Sequence, residues 1–248
     1  MNINYTLPLI WKHRRDWFSG GREMLLDVGW ARMCIRSHSY DLYILGEIFW
    51  EQVYTPRLAE VAHPAVVLDL GANIGAFSLW AARRWHPGRI VAVEMDPDNF
   101  RLLEQNIRLN DLAGKVLPVQ VAVWDANGRV GIRCHAFNHG MNQATPDPAD
   151  GGVPALTLGK LMDQNGLDRI DFLKMDIEGT EQRLFNPENE QLFKHAVRHL
   201  VAELHPTKGT NVSGVVAYLQ HLGFSVRLRS QWLRLTALLE AVNNRRLG

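Results

Sequence analysis

Cysteine is almost absent: Cys34 and Cys134 are the only two, far apart and in no ligand-like spacing. Neither a disulfide framework nor a zinc cluster is expected. A dominant charge is missing too. Lys and Arg number 27 against 26 Asp and Glu, so the net charge is +1 at pH 7. No whole-protein basic field exists to steer the chain onto nucleic acid. Two small basic groups, His13 to Arg15 and Arg227 with Arg229, read as solvated surface. No apolar run reaches the length of a membrane span. The opening MNINYTLPLIWKHRRDW carries charge after its short apolar stretch, the reverse of a signal peptide. These absences lead to the expectation of a reducing, cytoplasmic setting.

What is present is an ordinary globular composition, 46% hydrophobic, and 248 residues favour one α/β domain with additions. Residues 1–55 read as an N-terminal extension packed on the core, and 56–248 as the main domain. The extension holds strand candidates at Met24–Val28 and Ala31–Arg36, then an aromatic-rich amphipathic segment from Leu42 to Tyr54. Beyond Pro64 the pattern alternates as in a parallel sheet. Strands are expected at Val66–Leu70, Ile90–Glu94, Val116–Val123, Arg129–Cys134, Asp171–Met175 and Val197–Leu204, with two more at Phe224–Leu228 and Trp232–Leu238. Helices are expected at Gly75–Trp85, Pro97–Asn110, Leu158–Gln164, Thr180–Phe185 and Ser213–Leu222. Asn138–Gly152 is rich in turn residues and long enough to serve as a lid.

The first core strand runs straight into Asp69-Leu70-Gly71-Ala72-Asn73-Ile74-Gly75 and a helix. Such a turn brings backbone N–H groups to a ligand at a helix N-terminus. A dinucleotide fingerprint needs a second glycine where Asn73 stands, so that pyrophosphate can approach the backbone. S-adenosylmethionine carries no phosphate and tolerates Asn73, and its ammonium group suits an acid such as Asp69. Glu94, at the end of the next strand and about twenty residues on, can accept from both ribose hydroxyls. S-adenosylmethionine is therefore the expected cofactor.

A second group of polar residues falls at two later strand ends: Asp176 and Glu178 after one, Glu203 and His205 after the next. In doubly wound sheets these ends face the ligand. Asp176, Glu178 or His205 could take a proton from a hydroxyl nucleophile. Alternatively, Asp176 and Glu203 could hold a Mg²⁺-like ion that acidifies it. Glu181 reads as a residue favouring a helix N-terminus. His135 and His139 in the long loop are further candidates for touching the acceptor.

These stretches together resemble the FkbM-type methyltransferase family, over roughly Met24 to Arg229. The resemblance rests on Ser39-Tyr40-Asp41 with Phe49 and Tyr54, on Val67 to Gly75, on Val93 to Pro97, and above all on Ile170 to Glu181 followed by Glu203 and His205. It implies a class I methyltransferase fold, Rossmann-like and doubly wound with a mostly parallel sheet. It also implies methyl transfer to an oxygen of a sugar or small-molecule natural product. Cofactor contacts are implied at Asp69, Gly71, Ala72, Asn73, Gly75, Glu94 and Met95, with Ala122 beside the adenine. The sequence departs from the family at Gly159, commonly an acid, and at Asn186-Pro187, usually a glycine, both near the presumed acceptor side.

Three rivals remain. A nicotinamide-dependent oxidoreductase is disfavoured by Asn73 and by the lack of an evident Tyr-Lys pair. A nucleic-acid methyltransferase is disfavoured by the near-neutral charge and the absence of an Asn/Asp-Pro-Pro-Tyr-type motif. A non-catalytic cofactor-binding subunit would bind without turnover.

Overall fold

The computed structural model of the chain describes residues 23–37, 39–59, 61–133, 142–148, 151–205, 211–230 and 236–245. The chain opens with a hairpin, β1 (Glu23–Asp27) paired antiparallel to β2 (Arg32–Arg36). Helix α1 (Asp41–Leu45) follows and runs on as a π-helical turn over Gly46–Glu51. The hairpin is pinned to the core by Asn106, whose Oδ1 accepts from the Cys34 N–H at 2.6 Å and whose Nδ2 donates to the Cys34 carbonyl at 3.1 Å.

The core begins with β3 (Val66–Leu70), α2 (Ala76–Trp85), β4 (Arg89–Val93), α3 (Pro97–Leu109) and β5 (Val116–Val119). Four short strands follow: β6 (Ala122–Val123), β7 (Gly128–Arg133), β8 (Gln143–Thr145) and β9 (Val153–Leu156). Then come α4 (Leu158–Gln164), β10 (Phe172–Met175), α5 (Glu181–Leu184), α6 (Glu190–Ala196) and β11 (His199–Leu204). The chain closes with α7 (Val212–His221), β12 (Phe224–Ser230) and β13 (Ala237–Asn243).

Seven strands form one sheet in the order β12-β13-β11-β10-β3-β4-β5, with only β13 running against its neighbours. Successive side chains along a strand point to opposite faces, and here each face has its own core. Val67, Ile90, Val201 and Leu238 pack toward α2, α3 and the N-terminal extension. Their neighbours Leu68, Val91, Leu200 and Leu239 pack toward α4, α6 and α7. This two-sided burial is why the strands read as continuous apolar runs.

The strand expected over Val116–Val123 is two strands in two sheets. The first half is an edge strand, where Pro118 costs no ladder bond. The chain then leaves, and Ala122–Val123 joins β9, β7 and β8 in a four-stranded sheet. The apolar alternation continues across the break, so it carries no mark of the change of sheet. Part of the expected Asn138–Gly152 loop is strand, namely β8; residues 138–141 and 149–150, with His135 and His139, lie outside the described residues. The last strand is Ala237–Asn243 rather than Trp232–Leu238, whose first four residues lie outside the described ones. Glu240 disguises it: a fully buried carboxylate interrupts the apolar pattern and accepts from the Arg57 and Leu58 N–H groups and from His199. Helix α6 was not expected; it buries only Phe193 and Ala196, too little to show a period.

Candidate active site

Between β3 and β10 the sheet changes its direction of growth, with β4 and β5 added on one side and β11 on the other. Strand ends diverge at such a switch point and leave a crevice. A cavity of about 330 Å³ opens there.

Its first half is built from backbone. Gly71 has φ +76°, and a Cβ on it would stand 1.7 Å from the Asp176 carbonyl oxygen, so no side chain fits where the two strand ends approach. The Gly71 and Ala72 N–H groups bond to the Val93 carbonyl at 3.0 and 2.8 Å. Asn73, in the left-handed region at φ 51°, donates its N–H to Glu94 Oε2 at 2.7 Å. The Asp96 N–H meets Glu94 Oε1 at 2.8 Å. Burial pushes the Glu94 carboxyl up to about 7, against the downward pull of these two N–H groups. Gly71, Ala72, Asn73, Glu94, Met95 and Ala122 all line the cavity. Asp69 and Gly75 are set behind its wall. Asp69 is fully buried, accepting from Ser78 Oγ at 2.7 Å and lying 3.3 Å from Lys174 Nζ. Within the chain its carboxylate is engaged by this internal ion pair. Gly75 serves helix packing: a Cβ there would press on Leu103 Cδ1 at 2.8 Å.

The second half is built from side chains. Asp176 follows β10, and its Oδ2 accepts from Tyr54 Oη at 2.7 Å. Its Oδ1 is buried and accepts no hydrogen bond among the described residues; His205 Nε2 stands 3.9 Å away. The turn continues through Glu178 and Gly179, both left-handed. Glu181, nearly fully buried, gathers this turn by accepting from the Ile177 and Gly179 N–H groups, and holds His205 Nδ1 at 2.8 Å. It is an organiser of the turn, more than the helix-start residue its position suggested. His205 Nε2 is 3.4 Å from Glu178 Oε2. Burial alone would lower the imidazole, but the bond to Glu181 and the charges of Asp176, Glu181 and Glu178 raise it to about 10. His205 is thus an imidazolium at neutral pH. Three carboxyls share that one cation, and burial with the nearby Asp176 pushes Glu178 up to about 8.

Four residues that build or brace the site escaped the sequence reading or entered it only through the resemblance. Lys174 is buried inside β10 and donates to the Gly71 carbonyl at 2.6 Å, linking the two halves. Burial alone would lower it, and Asp69 and Asp176 outweigh that and raise it. A lysine within an apolar strand was the available signal. Tyr54 was marked only by the resemblance and Thr236 left no signal, since they meet Glu203 across the chain, at 3.0 and 2.7 Å. Arg229 was read as solvated surface; it is half-buried and its Nη1 donates to the carbonyls of Val53 and Thr55 at 3.0 and 3.3 Å. Gly159 and Asn186, expected near the acceptor, do not line the cavity.

The residues do not fit a Mg²⁺ ion held by Asp176 and Glu203. Tyr54 Oη stands between those two carboxyls, and Thr236 occupies the other oxygen of Glu203. Ligand atoms of Asp176, Glu178 and His205 do converge within 4.8 Å. Among the described residues no helix is long and apolar enough to cross a membrane.

A doubly wound sheet with one reversed strand, a glycine turn and an acid at the second strand end define the class I methyltransferase fold. The FkbM methyltransferase domain model matches residues 69–226. The chain belongs to the FkbM methyltransferase family. It is 30% identical over 217 residues to the 31-O-demethyl-FK506 methyltransferase FkbM of Streptomyces tacrolimicus, covering 74% of this chain and 82% of that one. To the methyltransferase sdnD of Sordaria araneosa it is 26% identical over 223 residues, covering 77% and 85%. The crystal structure of an FkbM methyltransferase from Methylobacillus flagellatus superposes with a TM-score of 0.57 at 15% identity, over 79% of this chain and 47% of that one. This chain therefore spans about half the length of that structure.

Proposed function

We propose that the protein is an S-adenosylmethionine-dependent O-methyltransferase acting on a hydroxyl of a sugar or small-molecule natural product. The carrying observation is Asp176, a carboxylate that lines the cavity 3.9 Å from His205 Nε2 and one strand from the backbone-built half. The donor set of that half suits the cofactor: Glu94 for ribose hydroxyls, Ala122 and Met95 as apolar wall, and a glycine turn with room for backbone approach. The cofactor would supply an electrophilic methyl group on a sulfonium.

Asp176 takes the proton of the acceptor hydroxyl, which is the work a strand-end carboxylate within reach of the nucleophile can do. His205, already protonated, stabilises the developing alkoxide electrostatically and does not act as base. Glu181 fixes the ring that does so. The printed name of the Streptomyces relative, a 31-O-demethyl-FK506 methyltransferase, supports an oxygen nucleophile on a natural product. The near-neutral charge supports a small acceptor over a nucleic acid.

The test is to incubate the protein with S-adenosylmethionine carrying a deuterated methyl group and a panel of sugars, polyketide alcohols, amines and bulk tRNA, with mass spectrometry as readout. Label on an alcohol oxygen is expected. Label on nitrogen, or in tRNA alone, overturns the reading. Binding without label in any acceptor would favour a non-catalytic subunit. Calorimetry showing NAD bound as tightly as S-adenosylmethionine would favour the oxidoreductase.

A further inference from the structure

Tyr54 poses a hydrogen-counting problem. Its hydroxyl has one proton, yet two carboxyl oxygens lie within hydrogen-bond reach, Asp176 Oδ2 at 2.7 Å and Glu203 Oε2 at 3.0 Å. Were both carboxylates ionised, one would face the phenol oxygen lone pair to lone pair in a buried site, an expensive arrangement. The conflict disappears if one carboxyl carries a proton. Glu203 is the better holder. It is buried at 4% exposure, and Thr236 Oγ1 already donates to its Oε1 at 2.7 Å. Asp176 lies within 4 Å of two cations, Lys174 Nζ at 3.8 Å from Oδ2 and His205 Nε2 at 3.9 Å from Oδ1, with Glu178 as its other acidic neighbour; the His205 charge also bears on Glu203. Burial and the Asp176 charge push Glu203 upward against the downward pull of Thr236, His205 and Tyr54.

We infer that Thr236, Glu203, Tyr54 and Asp176 form a one-way donor chain. In it a neutral Glu203 donates to Tyr54, and Tyr54 donates to Asp176, so that Asp176 is kept as the anionic base. Thr236 donates, Glu203 and Tyr54 each accept once and donate once along the chain, and Asp176 accepts, so the phenol oxygen faces no second carboxylate lone pair. The chain joins parts distant in sequence, because the 53–55 segment is fastened to the sheet edge. Arg229 on β12 grips the carbonyls on both sides of Tyr54, and Glu240 on β13 accepts from the Arg57 and Leu58 N–H groups at 2.7 and 2.8 Å. The Tyr54 ring is held edge-on against Phe77, centroids 5.7 Å apart. Tyr54 and Glu203 are positioning residues acting through Asp176. Their catalytic consequence rests on the proposed hydroxyl chemistry; their protonation does not.

The first experiment needs no acceptor. Carbon-13 NMR of the ligand-free protein, labelled at glutamate carboxyls and assigned by loss of a signal in Glu203→Gln, should show Glu203 as a neutral acid at pH 7. An ionised Glu203 there overturns the chain. The second uses whichever alcohol the deuterium panel labels. Tyr54→Phe should lower kcat by about tenfold or more, within the range of a misdirected base, while cofactor Kd stays within about twofold. Glu203→Ala should lower kcat comparably, and Glu203→Gln should recover most of that loss, since its amide can donate to Tyr54 and its carbonyl can accept from Thr236. The recovery should vanish in the Tyr54→Phe background, because the chain is then cut ahead of Asp176. If Glu203→Gln is as damaged as Glu203→Ala, Glu203 works as an anion and the inference is wrong. If no alcohol is ever labelled, the O-methyl reading falls while the NMR result still decides the protonation.

Discussion

Around Gly71 and Glu94 the cavity wall is mostly main chain. Its contacts come from one run of sequence, with Asn73 and Glu94 only 21 positions apart. Around Asp176 and His205 the wall is side chains drawn from everywhere. Tyr54 lies 122 positions before Asp176, and Thr236 lies 33 after its partner Glu203. The contrast matches the tasks proposed for each end. A bound cofactor that is always the same can be recognised by a rigid backbone turn, which any sequence preserving the glycines can form. A proton transfer depends on which oxygen carries which hydrogen, and only a network of titratable side chains sets that. Lys174 touches both, donating to the Gly71 carbonyl and lying 3.8 Å from Asp176.

If this division is right, the two ends respond to mutation separately. The largest effect is expected from Asp176→Asn, which keeps the shape and deletes the charge. Turnover should fall on the order of a hundredfold or more, with cofactor affinity and melting temperature nearly unchanged. An equal fall in cofactor affinity would mean the ends are not separable.

Glu94→Ala should do the reverse. It should weaken S-adenosylmethionine binding by roughly 1–3 kcal/mol in a calorimetric titration, because the Asn73 and Asp96 N–H groups lose their acceptor along with the ribose. Turnover at saturating cofactor should change little. The same carboxyl gives a pH test. With its carboxyl at about 7, Glu94 is ionised and accepts from two hydroxyls above that pH, and is protonated below it. Cofactor affinity should therefore fall as the pH drops below 7, and Glu94→Gln should abolish that slope. Stability moves oppositely in the ligand-free protein. A carboxyl raised by folding binds its proton more tightly in the folded state, so its contribution is full in acid and is lost as the pH rises through about 7.

The smallest effect expected is from Arg229→Ala. It loosens the carbonyls of Val53 and Thr55 without touching the cavity chemistry, so turnover should drop about three- to tenfold, the scale of one or two hydrogen bonds. Cofactor affinity should hold. A drop as large as that of Tyr54→Phe would show that the brace and the hydroxyl are one device.

Much of this was legible in the sequence for identifiable reasons. The apolar runs Val66–Leu70 and His199–Leu204 are buried on both faces, so their composition alone announces a parallel sheet. The glycine turn is legible because its geometry admits few residues, and the run from Asp176 to Glu181 because its members serve one turn. What failed to read did so where tertiary contacts override the local pattern. Glu240 hides β13, the Val116–Val123 alternation hides a change of sheet, and Arg229 looks like any surface arginine.

By itself, then, the sequence determined the doubly wound core, the turn at Gly71 and the acid at Glu94. These depend on short-range periodicity and on backbone conformations that particular residues permit or forbid. Only the tertiary structure decided that Asp69 pairs with Lys174 behind the wall, that Glu181 holds His205, and that Tyr54 stands between Asp176 and Glu203. A hydrogen bond between side chains has no period along the chain. It is fixed by where the packed sheet brings its strand ends, and by the cost of leaving a buried polar atom without a partner.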